Sequence, residues 1–246
     1  MSGILTGENI LKKKFIIILF SIFFISGLSV QGWPSGIFST GIGIGVSGDT
    51  GGLDSTMAYI NSEMRKFQIA NPGIEVSEID NLYSPVAGLN FSYIYNYAIF
   101  KAGMEYSGNF FFLRKGSLGS NNIEISYERF TIPVSMGIVI PFDAKNRFYF
   151  AGGVNYSYAN LQIKQSNPDP AWILSDKKYT FADDIMGLHV KAGAEVIFYK
   201  NYSLVIEATK FFGFKKTAKS EENNGEFYHR LDAFQITAGI NYSVNM

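Results

Sequence analysis

The chain has 246 residues, no cysteine and a formal net charge of zero. These numbers exclude disulfides, thiolate metal sites, thiol catalysis and a Cys-linked lipid anchor, and they carry no electrostatic signal for nucleic acid. Aromatic residues make up 16% and charged residues only 17%, with 25 glycines, a balance that favours pleated sheet and membrane interfaces.

The N-terminus reads as a secretory signal peptide. Lys12, Lys13 and Lys14 precede an apolar run from Phe15 to Val30, with cleavage expected after Ser29 or Gly32. The division expected is a signal peptide over 1–32 and one β-barrel domain over 33–246. The competing reading of the apolar run is a retained anchor, although it is short for a spanning helix.

Eight stretches of period-two alternation follow. The first, Ile37 to Ser47, puts Phe38, Thr40, Ile42, Ile44 and Val46 on one parity, and Ser39, Gly41, Gly43, Gly45 and Ser47 on the other. A gap over 48–83 contains a predicted helix from Asp54-Ser55 to about Ile69. Its apolar stripe is Met57, Ile60, Met64 and Phe67, and Asn71-Pro72-Gly73 stops it. This helix reads as a cover over a barrel mouth or as a binding surface.

The second strand spans about Ser84–Tyr95, with Ala87, Leu89, Phe91, Tyr93 and Tyr95 outward. The third spans Tyr97–Asn109, with Ala98, Phe100, Ala102, Met104 and Tyr106 outward. The fourth spans about Ile123–Phe142. Its lower half puts Ile132, Val134, Met136, Ile138 and Ile140 outward, but its upper half places Glu124, Ser126 and Glu128 on the same parity. Either a bulge shifts the phase near Phe130, or this end rises above a bilayer. The fifth spans Arg147–Leu161, the sixth Phe181–Phe198, the seventh Tyr202–Phe212, and the eighth runs from Tyr228 to the C-terminus.

Connections are short at Tyr95-Asn96-Tyr97, Pro141–Asn146 and Tyr199-Lys200-Asn201, and long at 48–83, 110–122, 162–180 and 213–226. Aromatics bracket the short turns. Small polar residues on one parity, apolar and aromatic ones on the other, and alternating turn lengths together describe a barrel wall with lipid outside. The predicted fold is all-β: an eight-stranded antiparallel up-and-down transmembrane β-barrel with short periplasmic turns and long extracellular loops. The rival is a soluble lipocalin-like barrel, which would leave the aromatic girdle unexplained.

Several segments carry a resemblance: Phe130-Thr131-Ile132-Pro133-Val134, Ala151-Gly152-Gly153-Val154 and Gly193-Ala194-Glu195. In order and spacing they resemble the small outer-membrane β-barrel superfamily, which includes the OmpA transmembrane domain and the OmpX and OmpW types. The resemblance covers about Ile37 to Met246. It implies residence in the cell outer membrane of a diderm bacterium and contact with outer-membrane lipid and lipopolysaccharide. It also implies delivery by the barrel-assembly machinery through the C-terminal strand. Such strands usually end in Phe; here Met246 takes that place.

The candidate site is a lumen charge network: Lys101, Glu105, His189, Lys191, Glu195 and Glu207, all on the inward parity. Counting from the turns, Lys101, Glu195 and Glu207 share a depth, with Lys191 and Glu105 one layer higher. An eight-stranded barrel is just wide enough for side chains to fill, so these charges should pair. His189 is expected to be hydrogen-bonded in the lumen. No catalytic residue, cofactor or metal is expected, because His189 and His229 stand apart without acids at ligand spacing.

The function expected is a non-enzymatic outer-membrane protein whose loops serve interaction or envelope integrity, with an extracellular ligand at the loops. The basic stretches Lys215-Lys216-Thr217-Ala218-Lys219 and Asp176-Lys177-Lys178, and the kinked Pro168-Asp169-Pro170-Ala171-Trp172, are the contact points considered. The first alternative is a narrow channel for small or hydrophobic solutes, as the OmpW type implies. A lipid-A-modifying enzyme using His229, Asp232 and a serine comes last, since i,i+3 places that pair on opposite faces of a strand.

Overall fold

The computed structural model describes residues 36–49, 52–79, 83–108, 114–143, 146–166, 178–214, 216–219, 226–229 and 232–245. The expected signal peptide, the Pro168–Trp172 segment, Asp176, Lys177, Lys215 and Met246 lie outside them. Eight long strands form the barrel: β1 (Ile37–Asp49), β3 (Tyr83–Tyr95), β4 (Ala98–Gly108), β6 (Asn121–Pro141), β7 (Asn146–Gln165), β8 (Lys178–Tyr199), β9 (Tyr202–Gly213) and β12 (Ala233–Asn245). Neighbours in space run β6-β4-β3-β1-β12-β9-β8-β7, and β7 returns to β6, so the sheet closes on itself. All these pairings are antiparallel. Closure removes every edge, which is what lets a sheet cross lipid.

The short turns are tight. Asn96 and Lys200 take positive φ (53° and 42°), and the Phe142 and Asp143 N–H groups both close onto the Asn146 carbonyl. On the outward parity Ile42, Ile44, Met136, Ile138, Phe150 and Ile206 are exposed, each by half or more, and that face is apolar. One outward residue departs from this pattern. Tyr93 is buried, and it lies beside Gly36, where an added Cβ would come within 2.8 Å of the phenol.

β6 resolves the phase question raised by its sequence. Burial alternates without a break from Asn121 to Ser135, and the register with β7 runs unshifted from Ile123 to Pro141, so there is no bulge at Phe130. The strand instead rises out of the membrane. From Phe142 to Phe130, at about 3.3 Å per residue and a tilt near 40°, the wall gains roughly 30 Å, close to an apolar band. Tyr106, Phe130 and Tyr158 stand side by side at its upper limit.

Above that row the polarity inverts. Ile123, Ile125, Tyr127, Leu161 and Ile163 point inward and are buried, while Glu124, Ser126, Glu128, Gln162 and Lys164 point outward. Outside the band the surroundings are water, so the apolar face turns in as it does in any soluble sheet. This turret also takes in β5 (Arg114–Leu118), which forms a hairpin with β6 through Gly119, and β2 (Val76–Ser77), which pairs with β5.

Helix α1 (Gly52–Ala70) closes the turret, two residues longer at its start than Asp54-Ser55 predicts. Ile60 and Met64 are fully buried against Ile123, Ile125 and Leu161, with Phe67 packed beside them; the side chain of Met57 lies outside the described set. Burial of two such side chains contributes roughly 1.5–3 kcal/mol each. The helix stops as the sequence requires: Asn71 N–H donates to Phe67 O at 2.9 Å and Gly73 adopts φ +111°. The connection between β9 and β12 holds a further hairpin, since β10 (Lys216–Lys219) and β11 (Glu226–His229) pair with each other. The last barrel strand therefore starts at Ala233 and not at Tyr228.

Candidate functional site: the barrel lumen

The inward parity of each strand decides who enters the lumen, and the circular strand order decides who can meet. β4 and β9 stand opposite each other, four places apart in the ring of eight. Lys101 from β4 crosses this diameter to pair with Glu207 Oε2. Lys191 from β8 donates to Glu207 Oε1 at 2.8 Å. Tyr149 from β7 donates to Oε2 at 2.6 Å and receives Lys101 Nζ at 2.7 Å. Thr209 reaches Oε1 at 3.4 Å. One carboxylate thus takes donors from four side chains.

A second pair lies apart. Arg147 Nε donates to Glu195 Oε2 at 2.7 Å, and Ser203 Oγ donates to Oε1 at 2.5 Å. All members of both groups are under 9% exposed. In such surroundings each ion pair is strong and each unpaired charge is costly, so these contacts close the lumen firmly.

A third layer lies higher. Gln235 from β12 donates to Glu105 Oε2 at 3.0 Å. Arg129 from β6 spans the barrel, its Nη2 donating to Ser47 Oγ at 3.1 Å and to Gln235 Oε1 at 3.5 Å, with its guanidinium 5.3 Å from the Phe211 ring. His189 packs 5.8 Å from the same ring.

Of the six expected residues, Lys101, Lys191 and Glu207 come together. Glu195 goes to Arg147, and Glu105 goes to Gln235. The depth count therefore misplaces Glu195: Gly193, not Glu195, is registered with Glu207, and Lys191, registered with Thr209 one inward step higher, reaches down to it. The expected hydrogen bond of His189 is corrected, because neither ring nitrogen has a partner among the described residues. Arg129, Arg147 and Tyr149 are not singled out by the sequence reading. Arg147 and Tyr149 sit on the inward parity of the fifth predicted strand, so parity alone could have found them; Arg129 falls where the strand phase is open.

One wall is glycine. Gly239, Gly43 and Gly88 are registered side by side on β12, β1 and β3, facing Lys101, Glu105, Lys191 and Glu207. Between them lies a cavity of about 40 Å³, room for about one water molecule. Small residues on one side make space for the long side chains from the other.

His229 lies on β11 with its side chain outside the described set. Asp232 accepts the Gly213 N–H at 3.0 Å, bracing the base of that hairpin. Among the described residues no group of three His, Asp or Glu is arranged to hold a metal.

A closed eight-stranded sheet, apolar without, polar and filled within, defines a transmembrane β-barrel of the bacterial outer membrane. The chain belongs to the outer membrane protein beta-barrel domain family, whose model matches residues 20–243. No curated protein matches it. Among solved structures it is similar to Neisserial surface protein A, at 11% identity and TM-score 0.45, over 84% of this chain and 96% of that one. It is also similar to OprG from Pseudomonas aeruginosa, at 11% identity and TM-score 0.46, over 89% and 100%. A major outer membrane protein from Thermus thermophilus is similar at 12% identity and TM-score 0.47, over 86% and 100%.

Proposed function

We propose that this is a non-enzymatic outer-membrane protein whose lumen is plugged and whose extracellular turret presents the interacting surface. The observation that carries the reading is the Lys101–Glu207–Lys191 bridge across the full diameter, backed by Arg147–Glu195 below and Arg129 above. A water-filled path needs open cross-section, and these layers occupy it. The partner side of the reading is outer-membrane lipid and lipopolysaccharide around the aromatic rows and an extracellular ligand at α1 and the loops. The C-terminal strand hands the chain to the barrel-assembly machinery.

The test is single-channel conductance of refolded, heat-modifiable protein in a planar bilayer. Silence is the expected result. Discrete, reproducible steps would overturn the plugged reading in favour of a narrow channel. The cavity against the Gly43 wall is the one observation that favours that channel. A mass shift in lipid A incubated with the protein would overturn the non-enzymatic part.

A further inference from the structure

The turret leaves the membrane on the lipid-facing side of the wall. Glu124 and Lys164 stand six positions beyond Phe130 and Tyr158 on β6 and β7, which lifts them roughly 15 Å above the aromatic row. Both keep the outward parity, so they face sideways over the bilayer and not into the barrel mouth. Ser126, Asn160 and Gln162 fill the same face below them, each partly exposed.

The upper row of this face is basic. Lys164 is registered with Lys178 on β8, and both side chains are exposed. Like charges directly opposite each other on one face of a sheet are destabilising. An anion lying across the two ammonium groups turns that repulsion into two charge-assisted contacts. On its other side Lys164 is registered with Glu124, whose Oε1 takes Lys115 Nζ at 3.1 Å. The registered row thus runs Lys115, Glu124, Lys164, Lys178. What surrounds an outer-membrane barrel at that height is the sugar layer of lipopolysaccharide, whose inner core carries phosphate and carboxylate groups. Exposed ammonium groups above a face of amides and hydroxyls complement such a layer in charge and in hydrogen bonding.

We propose that the outer face of the turret binds the anionic core oligosaccharide of the surrounding lipopolysaccharide, with Lys164 and Lys178 bridging one phosphate or carboxylate of the core. The lysine pair takes the place of the divalent cations that otherwise join neighbouring core phosphates. This assigns a partner to the turret proposed above and rests on that reading; whether the lumen conducts does not bear on it. A ligand held only by the folded barrel raises its unfolding temperature.

The test uses the full barrel in mixed micelles at low salt with EDTA present. Its thermal midpoint, read by heat-modifiable migration, is compared with rough lipopolysaccharide bearing a phosphorylated core and with lipid A alone at the same concentration. A midpoint several degrees higher with the core is expected. The difference should fall by half or more when Lys164→Gln is combined with Lys178→Gln, and it should fade in about 0.5 M salt. Equal midpoints in the two lipids would overturn the proposal and remove the core as a partner of the turret, leaving lipid A phosphate as the only anion in play. A core effect that survives the double variant would also overturn it, while leaving the turret as a binding surface with its contact on another face. Should the double variant fail to fold, acetylation of the native chain decides. Lipid-free core oligosaccharide should slow modification of Lys164 and Lys178 and leave Lys200, exposed at the opposite end of the barrel, unchanged. Equal modification with and without the oligosaccharide would sink the assignment.

Discussion

Tyr149 lies against Gly193 on the neighbouring strand, so close that a Cβ on that glycine would stand 2.2 Å from the ring carbon bearing the hydroxyl. The missing side chain lets the phenol cross β8 and deliver its hydroxyl to Glu207 at 2.6 Å. Gly193→Ala should push the ring off this path and destabilise the barrel by about 1–3 kcal/mol, as overpacking does. Tyr149→Phe keeps the packing and loses one hydrogen bond, for about 1 kcal/mol. Urea midpoints in detergent should rank Gly193→Ala below Tyr149→Phe; the reverse order would sink this account.

Glu207 is the hub of the plug, and its neighbours are not equivalent to it. Glu207→Ala leaves Lys101 and Lys191 buried without a carboxylate and should cost about 3–5 kcal/mol. Lys191→Ala leaves Glu207 with Lys101, Tyr149 and Thr209, so a loss of about 1–3 kcal/mol is expected. The same unfolding series checks the order. A Lys191→Ala barrel as stable as the native one would show that the second bridge contributes nothing.

Two inward glycines on β1 that look alike in sequence should behave differently. A Cβ at Gly45 would lie 2.0 Å from the Ile236 carbonyl oxygen, whereas one at Gly43 meets nothing nearer than 3.6 Å and enters the cavity. Gly45→Ala should block folding or shift the β1–β12 register. Gly43→Ala should fold with an unchanged or higher midpoint. Folding yield from urea into detergent separates the two, and equal yields would mean the close approach is not real.

The lid is held by a clamp. Asn61 Nδ2 donates to Ile79 O and Asn61 Oδ1 accepts Ile79 N–H, both at 2.9 Å. Asn61→Ala should speed amide exchange across α1 and 74–79, a local loss of about 1–3 kcal/mol, while the membrane strands stay protected. A uniform change across the barrel would contradict an independent lid.

Arg65 braces the same segment, with Nη2 donating to Glu78 Oε2 at 2.6 Å and Nε donating to Oε1. Those hydrogen bonds hold the Glu78 carboxyl below its ordinary value of 4.5; desolvation opposes them, and the guanidinium charge adds to the lowering. A lowered carboxyl stabilises the fold above its unfolded value and loses that contribution as the pH falls through the folded one. The protection of lid amides, relative to their intrinsic exchange at each pH, should therefore be flat from neutral pH to about 5 and fall only at more acid pH, less so at high salt because the pair is exposed. A loss of protection between pH 8 and 6 would point to another group.

Much of this molecule was legible in the chain. Within the membrane band, period-two alternation names the lipid face, because successive side chains in a strand point to opposite sides. Turn lengths and bracketing aromatics give the direction of the barrel, and the Ile60, Met64 and Phe67 stripe gives the lid. The parity that marked Lys101, Lys191 and Glu207 as inward also held Arg147 and Tyr149.

Pairing was not legible. Whether Glu207 meets Lys101 or Glu195 meets Arg147 depends on strand stagger around a closed ring, which brings residues 106 apart to one point. The reversal of polarity in β6 looked like a break in the pattern because alternation reports which side a residue faces, not what lies on that side. The sequence alone determined the barrel, its strands and its two faces, since each follows from local periodicity and from the solvent that periodicity anticipates. Only the tertiary structure decided which charges meet, that His189 has no hydrogen-bond partner among the described residues, and where lipid gives way to water, because these follow from closure, shear and height, which no single strand contains.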